Sequence, residues 1–325
     1  MSLNIYTHPA CLDHELWSLK IGDRKIWAPF EERAGRLQSL RSVFENAALM
    51  PVVSAPATRA QVGRVHTPAY IDHIEMRSKQ GVMASLLATP AHNKTVQWYT
   101  CVSPGSFNAA MYAAGTVVQA VEDSLSGKTR RAFCAVRPPG HHAGPERGEG
   151  FCLFNNVAIG AYHALENGAE RVAIIDFDRH HGNGTQAIIH ARPTPQVFFA
   201  SSYQQDCKYA HGIDASAQGP RIKTVPIAGH SLYAQVATAY QSHVIPALRD
   251  FAPDLILISA GFDMHKSDPL TSIRMESADY YDLTRMLVAV ADETAKGRVV
   301  SVLEGGYNEA ALAECVGHHL RALSP

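Results

Sequence analysis

After residue 104, short apolar runs alternate regularly with helical stretches, and this pattern constrains the fold more than any other feature of the sequence. The runs are rich in β-branched or aromatic residues, which is typical of strands buried on both faces. They occupy residues 133–136, 172–177, 197–200, 255–258 and 299–303, and helical patterns fill 155–167, 231–250 and 276–296. This alternation predicts a parallel sheet with helices on both sides.

The region before residue 104 is less regular, and its elements are predicted to be short. Residues 3–6 read as a strand, and residues 31–48 and 64–76 as helices. A further helix is expected to start near Ser106, which suits the N-cap position, and to end near residue 125. The sequence has no Ser/Gly-rich linker and no repeat, so we expect one domain over residues 1–325.

Composition excludes several classes of protein. A 46% apolar chain of 325 residues can form a large core, and 29 basic against 30 acidic residues provide no net field for nucleic acid or an anionic membrane. We find neither a secretory signal pattern nor an apolar run near the roughly 18 residues that span a bilayer, so a cytoplasmic protein is expected. The six cysteines contain no CxxC pair and are predicted to be buried thiols.

Polar residues follow each of the five predicted strands. These segments read RPPGHH, DFDRHHGNG, SSYQQ, AGFD and EGGY. Parallel sheets of this kind bind ligands outside the carboxyl ends of their strands. The sequence therefore predicts one functional site at this edge of the sheet.

A metal site is predicted within these segments. Asp176, Asp178 and His180 are spaced i, i+2, i+4 and share one face, and Asp263 after another strand is the natural third ligand beside Asp178 and His180. Two carboxylates and one imidazole suit Zn²⁺, with Fe²⁺ or Co²⁺ acceptable. Three protein ligands leave a position for water, which indicates a catalytic metal.

Further residues suggest acid–base chemistry beside this metal. His141 and His142 suit a proton-transfer pair whose pKa values are separated by different partners, with Asp176 available to orient one ring and Asn183 the other. Tyr307, after two glycines, can hydrogen-bond an oxyanion. By contrast, the His318–His319 pair in the last helical stretch is assigned no role.

Together these motifs resemble the signature set of the histone deacetylase family, whose superfamily includes bacterial acetylpolyamine amidohydrolases. The resemblance runs from about residue 65 to the end, and the LEGGY and HHGNGTQ forms look closer to the class II and bacterial branch. It is carried by RPPGHHA at 137–143, GFCLFNN at 150–156, DFDRHHGNGTQ at 176–186, SAGFD at 259–263 and LEGGY at 303–307.

The resemblance implies an α/β/α arginase–deacetylase fold around a mostly parallel eight-stranded sheet. It also implies hydrolysis of an acyl amide by metal-activated water, releasing acetate and a free amine. By motif match, zinc would be held by Asp178, His180 and Asp263. The catalytic residues would be His142 as general base, His141 paired to Asp176, and Tyr307 at the substrate carbonyl. Phe151, Gly150 and Leu270 would line the substrate tunnel, and a structural K⁺ would lie near Asp176, Asp178, His180 and Ser201.

Three positions depart from the family pattern. Arg179 stands between two ligands where relatives usually have an apolar residue, and its side chain is expected to point away from the metal. Tyr99 stands where many relatives have an Asp that grips the substrate backbone. Tyr209 is a weak candidate for a tunnel wall. These departures leave the substrate open without changing the expected chemistry.

Two other functional classes are disfavoured. A binuclear manganese site of the arginase type needs further carboxylates where Gly182 and His265 stand. A catalytically inactive acyl-binding module would be expected to lack the Tyr, a His or a ligand, and all of these are present.

The substrate is predicted to be an acetylated lysine peptide, with a small acetylated polyamine as the alternative. Polyamine-preferring animal relatives carry a Glu where Leu270 stands, which favours acyl-lysine. Bacterial polyamine enzymes use tunnels formed by dimers, so the alternative and a homo-oligomer stay open. Glu146 and Glu149 are expected to be solvated loop charges, although they could supply an acidic rim.

Overall fold

A computed structural model describes residues 3–15, 19–21, 24–26, 31–80, 84–85, 100–207 and 219–324. Tyr99 and Tyr209, both noted in the sequence, lie outside the described residues. Within the described part of the chain, no helix combines the length and apolar character needed to cross a membrane.

The core of the fold is an eight-stranded sheet in which every paired neighbour is parallel. Its strands are β1 (Leu3–Thr7), β4 (Val52–Val53), β7 (Arg131–Cys134), β8 (Val172–Asp176), β9 (Val197–Gln204), β10 (Ile222–Ile227), β11 (Leu255–Ala260) and β12 (Val299–Leu303). Their order across the sheet is β10-β9-β8-β11-β12-β7-β1-β4. Two small antiparallel pairs stand apart, β2 (Leu19–Ile21) with β3 (Arg24–Ile26) and β5 (Ala84–Ser85) with β6 (Cys101–Val102). The predicted parallel sheet is confirmed.

The helices connect these strands. They are α1 (Gly35–Gln38), α2 (Arg41–Asn46), α3 (Arg59–Val62), α4 (Pro68–Lys79), α5 (Ser106–Leu125), α6 (Asn156–Glu166), α7 (Asn183–Ala191), α8 (Tyr233–Ala239), α9 (Ile245–Phe251), α10 (Asp279–Thr294) and α11 (Glu309–Leu323). A 3₁₀ turn occupies Pro9–Leu12, and a π-helical turn, Tyr240–Val244, joins α8 to α9.

Two details of the helix predictions are wrong, and a third helix contains a turn that was not predicted. The helix expected over 31–48 is two short helices, and the Ser39 hydroxyl between them donates to the Arg36 carbonyl, an alternative to continued helical pairing. The helix expected over 231–250 is present over residues 233–251, and the π-helical turn inside it ends just before Pro246, which cannot donate a backbone hydrogen bond. Ser106 is the first helical residue and Gly105 is the N-cap; the Ser106 hydroxyl lies 2.7 Å from His14 Nδ1 instead.

Helices cover both faces of the sheet because its strands are buried on both faces. Successive residues of β8 alternate between two hydrophobic clusters. Ala173 and Ile175 pack with residues of α10 and α11, whereas Val172 and Ile174 pack with residues of α5 and α6. This burial explains the continuous apolar runs in the sequence.

Strands β8, β11 and β12, at the centre of the sheet, end at the same level. Asp176, the last residue of β8, is paired with Ser259 of β11 and Ser201 of β9, and Ala260 is paired with Leu303 at the end of β12. The chain leaves β8 toward β9 on one side and leaves β11 toward β12 on the other. Such a reversal of strand order opens a crevice at the carboxyl ends, where sheets of this type bind ligands.

Candidate active site

The three predicted metal ligands converge in this crevice. Asp178 and His180 follow β8, and Asp263 follows β11. His180 Nδ1 lies 3.0 Å from Asp178 Oδ1 and 3.1 Å from Asp263 Oδ2. One ligand atom of each residue lies within 4.8 Å of the others, and all three residues are buried. The group can therefore direct three ligand atoms at one ion.

The surroundings of the two carboxylates fit a metal. Asp263 Oδ1 accepts the Arg179 backbone N–H at 2.9 Å, whereas the buried Oδ2 has no hydrogen bond of good geometry and has only His180 Nδ1, at 3.1 Å, beside it. A buried carboxylate oxygen without a hydrogen bond is costly unless an ion binds it. A Cβ at Gly305 would lie 2.5 Å from Asp178 Oδ2 and 2.6 Å from Asp263 Oδ2, so a glycine is needed here. Two carboxylates and one imidazole are a donor set that zinc accepts.

His141 is paired with Asp176, as the sequence suggested for one of the two rings. Its Nδ1 lies 3.0 Å from Asp176 Oδ2, and both side chains are almost fully buried. Burial disfavours a charged ring, but the carboxylates of Asp176, Asp178 and Glu304 outweigh it and raise the pKa of His141 to about 10. His141 is therefore a cation at neutral pH.

His142 has a different environment. Its Nδ1 lies 2.6 Å from Asn183 Oδ1, at the start of α7. Burial lowers the pKa of His142 well below its usual value, and the positive charges of His141 and His180 lower it further. His142 is therefore neutral, and an Nδ1–H donated to Asn183 makes Nε2 its basic atom.

Tyr307 follows β12 and is near enough to Asp178 and Asp263 for their charges to act on its hydroxyl. Its ring centroid is 5.8 Å from that of Phe151, and the Arg36 guanidinium lies 5.0 Å from the Tyr307 ring centre. Burial, reinforced by the negative charge of Asp178, raises the pKa of Tyr307 well above its usual value. The hydroxyl therefore stays protonated and can donate a hydrogen bond.

The predicted tunnel residues lie in two loops beside these groups. Gly150 has φ of 53° and a Cβ there would collide with the His142 ring; Phe151 has φ of 68°. The two Asp268 oxygens accept the N–H groups of Leu270 and Tyr307, at 2.9 Å and 2.7 Å. Phe151 thus packs against the Tyr307 ring, and Asp268 links the backbone of the half-buried Leu270 to that of Tyr307.

The Arg179 side chain, expected to point away from the metal, lies on the side of His180 opposite the two carboxylates. Its Nη1 lies 3.0 Å from His180 Nε2, the ring atom opposite the carboxylates, and its Nε donates to Gln204 Oε1 at 2.9 Å. The guanidinium therefore packs along the outer edge of a candidate ligand.

The residues predicted to hold K⁺ are adjacent but already hydrogen-bonded. Asp176 Oδ1 accepts the Asp178 N–H at 3.0 Å. Ser201 Oγ accepts the Gly182 N–H at 3.3 Å and lies 3.0 Å from His181 Nδ1. Their side-chain oxygens are thus partly occupied by protein donors.

Sequence reasoning missed Glu304, which is fully buried beside the site. Its Oε2 accepts the N–H groups of Gly140 and His141, at 2.7 Å and 3.2 Å, and its Oε1 accepts the Ser259 hydroxyl at 3.2 Å. The signal was present, because an acidic residue directly follows a largely apolar strand. Glu304 holds the His141 backbone and adds negative charge near its ring.

The structure thus defines an α/β protein whose parallel sheet carries a candidate metal site at its carboxyl edge. Within that class, residues 30–323 match the histone deacetylase domain. The chain belongs to the histone deacetylase family, whose members are generally metal-dependent and act on acetylated amines.

Individual relatives agree with this assignment. The chain is 41% identical over 246 residues to type-2 histone deacetylase 2 of Dictyostelium discoideum, covering 69% of this chain but 14% of that protein. It is 35% identical over 294 residues to the histone deacetylase-like amidohydrolase of Pseudomonas aeruginosa, covering 87% and 73% of the two chains. The crystal structure of the HDA15 HD domain superposes with a TM-score of 0.87 at 28% identity, covering 99% of this chain and 89% of that one. The predicted family and fold are confirmed.

Proposed function

We propose that this chain is a zinc-dependent deacetylase that hydrolyses the acetyl amide of acetylated lysine side chains, releasing acetate and the free amine. One observation carries the proposal. The ligand group of Asp178, His180 and Asp263 lies beside two adjacent histidines that have different partners. His141 Nδ1 lies 3.0 Å from a carboxylate oxygen of Asp176, and His142 Nδ1 lies 2.6 Å from the amide oxygen of Asn183, so the two rings are placed for opposite roles in proton transfer. Amide hydrolysis needs both a proton acceptor and a proton donor next to an electrophilic centre.

His142 acts as the general base. When bound, the metal supplies Lewis acidity that polarises the acyl carbonyl and makes a water molecule more acidic. The neutral His142 ring accepts the proton of the attacking water at Nε2, while Nδ1 stays hydrogen-bonded to Asn183. A positioned base of this kind contributes about 10²–10⁴ in rate.

His141 and Tyr307 act on the other charges of the reaction. The cationic His141, held by Asp176, stabilises negative charge at the site and can protonate the departing amine. The protonated Tyr307 hydroxyl donates to the carbonyl oxygen as that oxygen gains negative charge. A donor in this position contributes about 10²–10³ in rate.

Two features of the loops favour acyl-lysine over a polyamine. Leu270 provides no anion for a second ammonium group. Glu149 is hydrogen-bonded to Asn183 and Arg147, so its charge is already partly neutralised within the protein. An acetylpolyamine amidohydrolase, with the same chemistry, remains the alternative.

A structural K⁺ is a further part of the proposal. It would bind near Asp176, Asp178, His180 and Ser201, mainly through backbone carbonyls, because the side-chain oxygens of Asp176 and Ser201 already accept hydrogen bonds. Replacing K⁺ by Na⁺ should lower the Tm, and an unchanged Tm would contradict this site.

The proposal is tested by acetate release from the zinc-loaded protein on an acetyl-lysine peptide and on acetylputrescine. We expect the rate to be at least about tenfold higher on the peptide, a ΔΔG‡ of about 1.4 kcal/mol, and to disappear with chelator. The reverse preference would establish the polyamine alternative. Stoichiometric zinc with no turnover on either substrate would make the chain an inactive acyl-binding module.

A further inference from the structure

A chain of hydrogen bonds leads from the candidate base to the surface. His142 Nδ1 lies 2.6 Å from Asn183 Oδ1, and Asn183 Nδ2 donates to Glu149 Oε2 at 3.3 Å. The Glu149 carboxylate also accepts a hydrogen bond from Arg147. Of the two acidic residues in the loop before Phe151, Glu146 is exposed, whereas the Glu149 side chain is only 24% exposed. Glu149 is thus part of the site's hydrogen bonding rather than a fully solvated charge.

The Asn183 amide decides which nitrogen of His142 carries the proton. An amide presents an acceptor oxygen at one end and donor hydrogens at the other, and the two ends have nearly the same shape. With Oδ1 toward the ring, His142 donates from Nδ1 and its basic nitrogen is Nε2. With Nδ2 toward the ring, Nδ1 would have to accept and the proton would move to Nε2. That second tautomer cannot accept a proton at Nε2.

Glu149 removes this ambiguity. An ionised carboxylate is an acceptor only, so it binds the Nδ2 end of the amide and repels the Oδ1 end. Turning the Asn183 amide over would therefore place two oxygens against each other and abolish the hydrogen bond to Glu149, even if His142 changed its tautomer to accept from Nδ2. Arg147 lies on the outer side of the Glu149 carboxylate. Because its side chain is 66% exposed, Arg147 contributes little to the energy that favours this orientation of the Asn183 amide.

We propose that Glu149 is a positioning residue that acts through Asn183 to hold His142 in the tautomer whose Nε2 can accept a proton. This inference rests on the proposed function, because it assigns the base of that reaction its working tautomer. Glu149 touches neither the metal ligands nor the reacting atoms in this scheme. Its effect passes through the orientation of one amide.

The test varies the hydrogen-bonding character of residue 149 on the full-length, zinc-loaded protein. The side chain is acceptor-only in the wild type, both acceptor and donor in Glu149→Gln, and donor-only in Glu149→Lys. Because a catalytic imidazole held in the wrong tautomer costs up to about 10⁴ in kcat, we expect Glu149→Lys to lose at least about 10² and Glu149→Gln to fall between. KM for a capped, uncharged acetyl-lysine substrate should change by less than about threefold.

Two controls separate the effect of the Asn183 amide orientation from a general effect of charge or a loss of folding. Glu146→Lys makes the same charge change at an exposed position of the same loop and should keep kcat within about twofold of the wild type. In an Asn183→Asp background the amide donor is gone, so Glu149→Lys should no longer lower kcat by more than about twofold. Zinc content and Tm are measured for each variant.

The outcomes are distinct. A kcat for Glu149→Lys that equals that of Glu146→Lys, or a loss that persists undiminished in the Asn183→Asp background, would overturn the inference. If the wild type releases no acetate, the proposed function fails, and the tautomer is read directly by NMR of the His142 ring nitrogens, assigned with His142→Ala. The inference then requires Nδ1–H in the wild type and Nε2–H in Glu149→Lys; the same tautomer in both would refute it.

Discussion

The imidazole rings of His141 and His142 lie 4.0 Å apart, centroid to centroid, and their pKa values are displaced in opposite directions. His141 faces carboxylates that outweigh the cost of burying its charge. His142 is equally buried but has an uncharged amide as its partner and a cationic ring beside it. The environment of His141 thus favours the protonated ring and that of His142 the neutral ring, as a proton donor and a proton acceptor require.

Removing the His142 ring should lower turnover without affecting zinc binding. We expect His142→Ala to lower kcat by about 10²–10⁴ with zinc content unchanged, because the ring is not one of the candidate ligands. His73→Ala makes the same change on the exposed face of α4 and should leave kcat unaltered. A His142→Ala protein with more than about a third of wild-type kcat would remove this residue from the mechanism.

The Tyr307 hydroxyl is predicted to act only on the transition state. Tyr307→Phe keeps the ring that packs against Phe151 and removes one hydrogen-bond donor. We expect kcat to fall by about 10²–10³, with KM and zinc content close to those of the wild type. Steady-state kinetics on the acetyl-lysine peptide measures this, and full activity would show that another group polarises the carbonyl.

Metal binding should depend on Asp178. Ions that bind only the folded state raise its stability, so zinc should raise the Tm of the wild type. Asp178→Ala should lose stoichiometric zinc and this shift of Tm. Asp250→Ala, at an exposed position, should retain both. Calorimetry with and without zinc, together with metal analysis, tests the assignment; equal zinc content in the two variants would contradict it.

The buried Glu32 carboxylate is predicted to stabilise the fold. It accepts a hydrogen bond from Arg137 Nη2 at 2.7 Å and lies 3.2 Å from Arg36 Nη1, all with side chains 0% exposed. Glu32→Gln leaves these guanidinium groups without their counter-charge and should lower the free energy of unfolding by about 3–5 kcal/mol. Glu45→Gln breaks a pair with Arg41 whose side chains are 63% and 82% exposed, and should cost less than about 1 kcal/mol.

The contribution of Glu32 to the free energy of unfolding should decrease as the pH falls. Burial alone would raise the pKa of Glu32, but the charge and hydrogen bonds of Arg137 outweigh it and lower that pKa to about 2. The contribution is therefore present above the ordinary value of 4.5 and is lost as the pH falls toward 2. Urea unfolding at several pH values should show the Glu32→Gln difference shrinking below about pH 4.

The strands and the metal ligands could be predicted because each depends on local sequence. A run such as residues 172–177 must be buried on both faces, and the i, i+2, i+4 spacing places Asp178 and His180 on one face of the segment that follows. The order of strands then brings Asp263 next to them, as expected for parallel strands whose ends meet at one edge.

Contacts between distant segments could not be predicted. Arg36 reaches the carbonyl of Gly306, 270 residues away in sequence, and nothing in the residues around Arg36 indicates that partner. Glu149 was expected to be a solvated charge because its contact with Asn183 depends on where the loop packs. The hydrogen bond between Arg179 Nε and Gln204 Oε1 likewise depends on how β9 packs beside the end of β8.

His319 was assigned no function in the sequence, and the structure gives it a buried structural place with a measurable consequence. Its Nδ1 lies 2.7 Å from Thr284 Oγ1, whose proton goes to the Tyr280 carbonyl, and its Nε2 lies 2.8 Å from the Ser301 hydroxyl. His319 therefore donates to Thr284 from Nδ1, and a neutral ring accepts the Ser301 hydroxyl at Nε2. Burial lowers the pKa of His319 from 6.5 to about 3.

Below pH 6.5 the unfolded chain gains a proton at His319 that the folded protein does not. Stability should therefore fall as the pH drops from 6.5 toward 3, by up to about 1.4 kcal/mol per pH unit from this residue. His319→Gln removes the titration, so its destabilisation relative to the wild type should narrow as the pH falls. His190→Gln, at an exposed position, should show a constant difference. Urea unfolding of the three proteins between pH 7 and pH 4 measures this, and a gap that stays constant for His319→Gln would mean that the buried ring is protonated in the folded state.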